Sequence, residues 1–265
     1  MSDRRTVAPF GRRPAPVLAN EALGAYRLVS VSDPDGPRPR PGQFYMLAAE
    51  RGWGGDGERP YLPRAFSHAR ASQDGRLDFL LEVVGPGTAR LAEVEPGERL
   101  LLVGPLGLGF ERSGGRALLV GGGIGAAPIL ALSDEIDARV MLGFRSAGHA
   151  AAAALFRGET AVATDDGSAG RRALVTELLR EALDADAEAT VYACGPPPML
   201  EAVRALCAER EVEAQLALES GMACGYGACF GCVVPTRSGY VRLCVDGPVL
   251  PAADLESALV PGAGH

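Results

Sequence analysis

The sequence predicts three units in series: an N-terminal antiparallel β-barrel over residues 1–112, a central parallel-sheet α/β domain over 113–215, and a small cysteine module over 216–265. Three observations carry this reading. Short apolar runs punctuated by Pro-Gly and Asp-Gly turns fill the N-terminal part. After Ala117 the rhythm changes to strands alternating with helices. Near the C-terminus, Cys224, Cys229, Cys232 and Cys244 gather with the spacing C-x4-C-x2-C-x11-C.

In the first unit the strand-like runs are Pro16–Ala19, Ala25–Val31, Gln43–Ala49, Leu77–Val84 and Arg99–Val103. The turns between them include Asp33-Pro34-Asp35-Gly36, Pro41-Gly42, Pro86-Gly87 and Pro96-Gly97, residue types that set turn dihedrals at little cost. One short helix is expected over Thr88–Val94. The stretch Arg51–Arg59, with four glycines and the chain's single tryptophan, reads as an exposed loop.

The second unit opens with the apolar run ALLV at Ala117, a string of glycines, and AAPILALSDEID at helical spacing. RVMLGF and AVAT follow as strands, ALVTELLREAL as an amphipathic helix, TVYAC as a strand, and PPMLEAVRALCAER as a helix. Such alternation builds a parallel sheet with helices on both faces. No repeat at solenoid periods is present.

With 265 residues and 47% hydrophobic content the chain can bury substantial cores. A net charge of −7 argues against nucleic acid as a partner. All 26 basic residues are arginine, a compositional bias without functional weight. No signal-peptide core follows the N-terminal arginines. The uncharged stretch Ala117–Ser133 is shorter than the ~20 residues a membrane span needs, and glycines and Pro128 interrupt it. A soluble, cytoplasmic protein with no membrane partner is expected.

Three thiols within a short loop, spaced as in plant-type ferredoxins, fit a [2Fe-2S] cluster. Gly225, Gly227, Ala228 and Gly231 leave the loop free to curl and its N–H groups free to approach sulfur. Structural zinc is the competing reading, but it prefers two separated pairs of ligands. Disulfides are disfavoured where thiols stay reduced. Cys207, on a helical run, reads as a small buried hydrophobe.

Gly121-Gly122-Gly123-Ile124-Gly125-Ala126 leaves a strand and enters a helix, and Gly121, Gly123 and Ala126 fit G-x-G-x-x-A. Glycine there lets the backbone approach a pyrophosphate at a helix N-terminus. A purely structural tight turn needs glycine too. The acidic residue expected at the end of the next strand is missing, because that strand ends Gly143-Phe144-Arg145-Ser146. Asp165 and Asp166 close the third strand and could accept from ribose hydroxyls, favouring NAD, with Arg171 and Arg172 nearby. The fourth strand stops at Cys194-Gly195-Pro196 and restarts as a helix bearing Met199, placing its tip at the sheet's carboxyl edge, where ligands bind. Cys194 is either a nicotinamide contact or a packed thiol.

A β domain with Arg64-Ala65-Phe66-Ser67 and Gly85-Pro86-Gly87-Thr88, an α/β domain with the glycine turn and Cys-Gly-Pro, and a closing cysteine module resemble the ferredoxin-reductase superfamily. Within it the chain is most similar to the electron-transfer subunits of class 1B NAD-dependent dihydroorotate dehydrogenase. The similarity covers nearly the whole chain and is most specific in MACGYGACFGC, CVDGPV and ATDDGSAG. It implies an FAD-binding barrel, an NAD-binding domain and a [2Fe-2S] module. It also implies that FAD is held by Arg64, Ala65, Phe66 and Ser67, by the strand residues Leu80, Leu81 and Glu82, and by Gly87 and Thr88 at the phosphates. Three residues depart from the family pattern. Ala65 replaces a proline, Glu82 stands where a basic residue is usual, and Gly221 replaces an arginine.

The chain has three histidines, His68, His149 and His265, and no nucleophile–base constellation is readable. Substrate oxidation is therefore expected on another subunit, and the resemblance implies that this partner is an FMN-containing dihydroorotate dehydrogenase catalytic subunit, in de novo pyrimidine (UMP) biosynthesis, within a heterotetramer of two of each subunit. A reductase subunit of a hydrogenase or NAD(P)H–ferredoxin oxidoreductase shares these motifs. A zinc-stabilised nucleotide-binding regulator is the non-enzymatic alternative.

Overall fold

This computed structural model describes residues 5–55, 59–186 and 188–260. Part of the expected loop at Arg51–Arg59, and His265, lie outside the described residues.

Six strands close the barrel: β1 (Arg13–Leu23), β2 (Tyr26–Ser32), β3 (Phe44–Ala49), β4 (Arg64–Ala71), β5 (Arg76–Glu82) and β6 (Arg99–Leu106), in the order β1-β2-β5-β4-β3-β6. All the pairings are antiparallel. Val29, Val31, Tyr45, Leu47, Phe79, Leu81, Leu100 and Leu102 meet inside it. A short helix, α1 (Pro86–Ala92), interrupts the barrel two residues ahead of the expected span. Two strands exceed the sequence reading. β1 is longer than its apolar run, because pairing with both β2 and β6 carries its polar residues along. β4, RAFSHARA, has no run of apolar residues and forms because β3 and β5 flank it.

The second sheet runs β10-β9-β8-β7-β11-β12-β15. Its members are β7 (Ala117–Gly122), β8 (Arg139–Phe144), β9 (Thr160–Thr164), β10 (Arg171–Arg172), β11 (Thr190–Cys194), β12 (Ala214–Ala217) and β15 (Val249–Pro251). The pairings are parallel except β12 with β15. α2 (Ala126–Ser133) and the short α3 (Ala147–Ala150) lie on one face, α4 (Val175–Ala185) and α5 (Pro197–Glu209) on the other. The strands split accordingly: Leu118 and Val120 join the core under α4 and α5, while Leu119 joins the core under α2. That period-two split is what a sheet buried on both faces requires.

Two features seat the domains on each other. α2, which follows the glycine turn, also packs on β4 of the barrel. The C-terminal segment does not stay in its own module: a hairpin of β13 (Val233–Thr236) and β14 (Gly239–Arg242) leads into α6 (Leu243–Asp246), and the chain then returns to the large sheet as β15. Cys232, Val234, Leu243 and Cys244 share one core with Phe44 and Met46 of the barrel and with α4 and α5.

Gly125 has ordinary helical backbone, φ −62°, yet a Cβ there would lie 2.4 Å from the Cys194 carbonyl oxygen and 2.6 Å from Gly195 N. These are backbone atoms that cannot move aside. Gly125→Ala is expected to lower unfolding free energy by ~2 kcal/mol in urea denaturation. Gly114→Ala, whose Cβ meets nothing within 4 Å, is expected to change it by less than about 0.5 kcal/mol.

Candidate functional site

The four thiols come together two by two. Cys232 precedes β13 and Cys244 lies on α6, so the hairpin returns one to the other: Leu243 N donates to Cys232 O at 3.1 Å and Cys244 N to Cys232 Sγ at 3.4 Å. Cys224 and Cys229 form the second pair, linked by a side-chain hydrogen bond, and Gly231 N donates to Cys229 Sγ at 3.5 Å. Among the described residues, no three His, Cys, Asp or Glu side chains converge as a single ion needs. Two thiolates per iron is the donor set of a [2Fe-2S] cluster. The pairs differ in setting. Cys232 and Cys244 are each 2% exposed, whereas Cys229 is exposed and Cys224 half-buried. Burial opposes the Cys224 thiolate, but N–H groups of Cys229, Tyr226 and Ala228 outweigh it and bring the thiol down to about 6. Burial and the neighbouring Cys232 push Cys244 up to about 12. Cys224 is thus prepared to ligate, whereas Cys244 depends on the metal's charge.

The loop's glycines set its seat. At Gly225 (φ +80°) a Cβ would lie 2.5 Å from Met46 Cγ and 3.0 Å from Leu106 Cδ1, so the cysteine loop rests on barrel strands β3 and β6. At Gly227 (φ +88°) it would lie 2.6 Å from Val245 Cγ2. Arg242 Nη1 donates to Gly227 O at 3.2 Å, and its guanidinium carbon lies 5.4 Å from the centre of the Phe230 ring. Phe10 meets Tyr226 edge-on at 5.3 Å. Gly221 has open space around its would-be Cβ, so no packing reason requires glycine there.

The two expected flavin motifs meet. Arg64 lies against the turn before α1: a Cβ on Gly87 would lie 2.5 Å from Arg64 Nε. The guanidinium also lies 5.8 Å from the Trp53 ring centre and donates to Leu62 O at 2.5 Å. Thr88 Oγ1 accepts from Val84 N at 2.8 Å and Gly85 N at 3.1 Å, which fixes the turn. A guanidinium beside a side-chain-free turn is a fitting cradle for a diphosphate. Ala65 is exposed and Phe66 and Ser67 are half-buried on β4. Leu80 and Leu81 are 1% and 0% exposed, so they can offer a ligand only their backbone. His68 is buried with Nδ1 3.3 Å from Gln43 O, and burial pulls it down to about 4, which leaves it neutral.

Glu82 points elsewhere than to a flavin motif. It accepts from Arg145 Nη2 and lies 3.3 Å from His149 Nε2, both on the α/β domain. Arg145 and His149 were not singled out as site residues by their local sequence, since neither belongs to a motif.

The glycine turn carries Gly123 at φ +54°. Gly121 and Gly125 are buried where Cβ atoms would strike Leu142 and the Cys194 carbonyl. Ile124 is half-buried and Ala126 buried. Met199 packs beneath the turn: a Cβ on Gly122 would lie 2.3 Å from its Sδ, and one on Gly195 2.5 Å from its Cε. Pro196 also abuts Gly122. Met199 thus acts here as packing. Cys194 is buried, and burial pushes its thiol well up, reinforced by Glu219, so it remains protonated. Asp165 and Asp166 are exposed at the same edge, with Asp166 accepting from Ser168.

A barrel, a dinucleotide-type sheet and paired cysteines define a ferredoxin-reductase-like flavoprotein architecture with an iron–sulfur module. Solved structures agree on the fold. The NADH-dependent reduced ferredoxin–NADP oxidoreductase superposes with a TM-score of 0.77, covering 95% of this chain and 93% of that one at 23% identity. The ferredoxin reductase of carbazole 1,9a-dioxygenase gives 0.63 over 76% and 66%, at 25% identity. The profile of the iron–sulfur cluster binding domain of dihydroorotate dehydrogenase B matches residues 219–256. The electron transfer subunit of dihydroorotate dehydrogenase B (NAD(+)) from Caldanaerobacter subterraneus subsp. tengcongensis is 36% identical over 250 residues, 91% of this chain and 97% of the relative. That from Geobacillus thermodenitrificans is 38% identical over 231 residues, 81% and 86%. The chain belongs to the family of electron transfer subunits of dihydroorotate dehydrogenase B. The zinc-regulator alternative gives way to this assignment. No helix among the described residues is long and apolar enough to cross a membrane.

Gly225→Ala must lift the cysteine loop off Met46 as well as adopt a positive φ. Its purified form is expected to hold less than about half the iron of the native protein, by iron analysis against protein concentration.

Proposed function

We propose that this chain carries electrons from the FMN of a dihydroorotate-oxidising catalytic subunit through a [2Fe-2S] cluster and FAD to NAD⁺, within a cytoplasmic heterotetramer of two of each subunit that serves pyrimidine (UMP) synthesis. The observation that carries it is the position of the paired thiols, seated on the flavin barrel at Gly225 and open to the outside at Cys229. The whole-chain likeness to electron transfer subunits supports the choice of dihydroorotate over hydrogenase or ferredoxin chemistry.

Bound FAD exchanges a hydride with nicotinamide and single electrons with an iron–sulfur centre. The chain's own residues supply position and electrostatics. Arg64 and the backbone of Gly87 bind the diphosphate, and Ser67 and the β4 backbone orient the ring. The turn Gly121, Gly122, Gly123, Ile124, Gly125 and Ala126 brings the dinucleotide's phosphates to the N-terminal end of α2. Asp165 and Asp166 accept from its ribose. Cys194, protonated and buried at the tip of β11, shapes the nicotinamide end without contributing charge. Cys224, Cys229, Cys232 and Cys244 ligate the irons, with the Cys224–Cys229 pair toward the partner. His68, neutral and buried, takes no part in proton transfer.

Cys229→Ser separates the two halves of this account. NADH-to-dye activity, which needs only FAD, is expected to stay within about threefold of native, while NAD⁺-dependent dihydroorotate oxidation in the reconstituted complex falls by more than about a hundredfold. Equal loss of both would show that the module serves folding. Failure of any FMN catalytic subunit to confer dihydroorotate oxidation on the native chain would refute the choice of partner.

A further inference from the structure

In sheets of this type the end of the strand beside the glycine turn meets the adenine ribose. A carboxylate there suits free hydroxyls, and an arginine suits a 2′-phosphate. Here β8 occupies that place, with Gly143 in register with Gly122 of β7. It ends Phe144-Arg145-Ser146, residues suited to a phosphate, in a family whose named acceptor is NAD(+). Glu82 reconciles the two. We propose that Glu82, lent by the flavin barrel, is the specificity-determining carboxylate of the dinucleotide site: it holds Arg145 away from the 2′ position, so the site takes a dinucleotide without a 2′-phosphate. This rests on the NAD reading above.

The geometry ties up both polar residues of the pair. Arg145 Nη2 donates to Glu82 Oε1 and lies 3.0 Å from His149 Nε2. Ser146 Oγ lies 3.0 Å from His149 Nδ1. The partners are held in place by the domain seam. Ala25 N donates to Gly148 O at 2.8 Å, and a Cβ on Gly24 would lie 2.0 Å from that oxygen. Tyr26, opposite Glu82 across β2 and β5, meets the His149 ring edge-on at 5.5 Å. With Arg145 withheld, the charges left at the edge oppose a phosphate. Asp165 N and Asp166 N bond to the carbonyls of Phe144 and Arg145, so these two acidic residues border the end of β8. Arg171 is turned to Glu181 at 2.5 Å, and the Arg172 stem lies over Gly167. From another domain, Glu82 thus withdraws an arginine from the 2′ position, while Asp165 and Asp166 are left to accept from the ribose. It also accounts for an acidic residue where relatives are expected to carry a basic one.

The test is calorimetric binding of 5′-AMP and adenosine 2′,5′-bisphosphate to the flavin- and cluster-loaded protein, with NADH- and NADPH-to-dye rates beside it. Native protein is expected to prefer AMP. Glu82→Gln, which keeps shape and removes charge, is expected to tighten the bisphosphate about tenfold while leaving AMP within about twofold, the gain a released charged hydrogen bond gives. Adding Arg145→Gln to that variant is expected to abolish the gain. Arg145→Gln alone, which leaves the barrel untouched, is expected to leave bisphosphate affinity as in native. An unchanged preference in Glu82→Gln, a gain that survives in the double variant, or weaker bisphosphate binding in Arg145→Gln alone would each overturn the assignment. Native protein that binds neither nucleotide would overturn the NAD reading as well, whereas AMP binding with an unmoved ratio overturns this inference alone.

Discussion

The cysteine loop lies on barrel side chains with bare backbone of its own, and the rest of the architecture depends on that contact. Gly225 presents bare backbone to Met46 and Leu106. The same core continues through Cys232, Cys244 and Leu243 into the face covered by α4 and α5. A side chain at 225 would move the thiols outward, away from Met46 and Leu106 of the barrel. The return of the chain as β15 locks the module from the other side, because the sheet cannot complete its edge unless the hairpin has folded back.

That placement divides the thiols by environment. The Cys232–Cys244 pair is interior and the Cys224–Cys229 pair is at the surface, so the four thiols span from core to outside. Tyr226, Phe230 and Phe10 surround the outer side with exposed aromatic rings. One pair of thiols is thus packed against the barrel and the other left open at the surface.

Much of this was legible in the sequence, for physical reasons particular to each part. Thiol spacing is dictated by metal geometry, so C-x4-C-x2-C-x11-C pointed to an iron–sulfur domain without any fold. Gly121 to Ala126 were legible because a tight strand-to-helix turn leaves few alternatives to small residues. β4 was hidden, since RAFSHARA carries charge and owes its extension to neighbours on both sides. The meeting of Arg64 with Gly87 was implied by resemblance alone; no local pattern shows that two loops will touch. Glu82 was the least legible. Its partners Arg145 and His149 lie more than sixty positions away, and its charge makes sense only once two domains are packed together. Met199 follows Cys-Gly-Pro at the carboxyl edge of the sheet, and only the fold shows that its thioether fills the space left by Gly122 and Gly195.

The claim that joins these parts is that flavin and cluster communicate within one chain. Anaerobic stopped-flow mixing of the isolated, fully loaded subunit with NADH, monitoring flavin and cluster absorbance separately, tests it most directly. The account predicts that cluster bleaching follows flavin reduction with a first-order rate constant independent of protein concentration. A rate constant that rises in proportion to protein concentration, or a cluster that stays oxidised after the flavin is reduced, would contradict it.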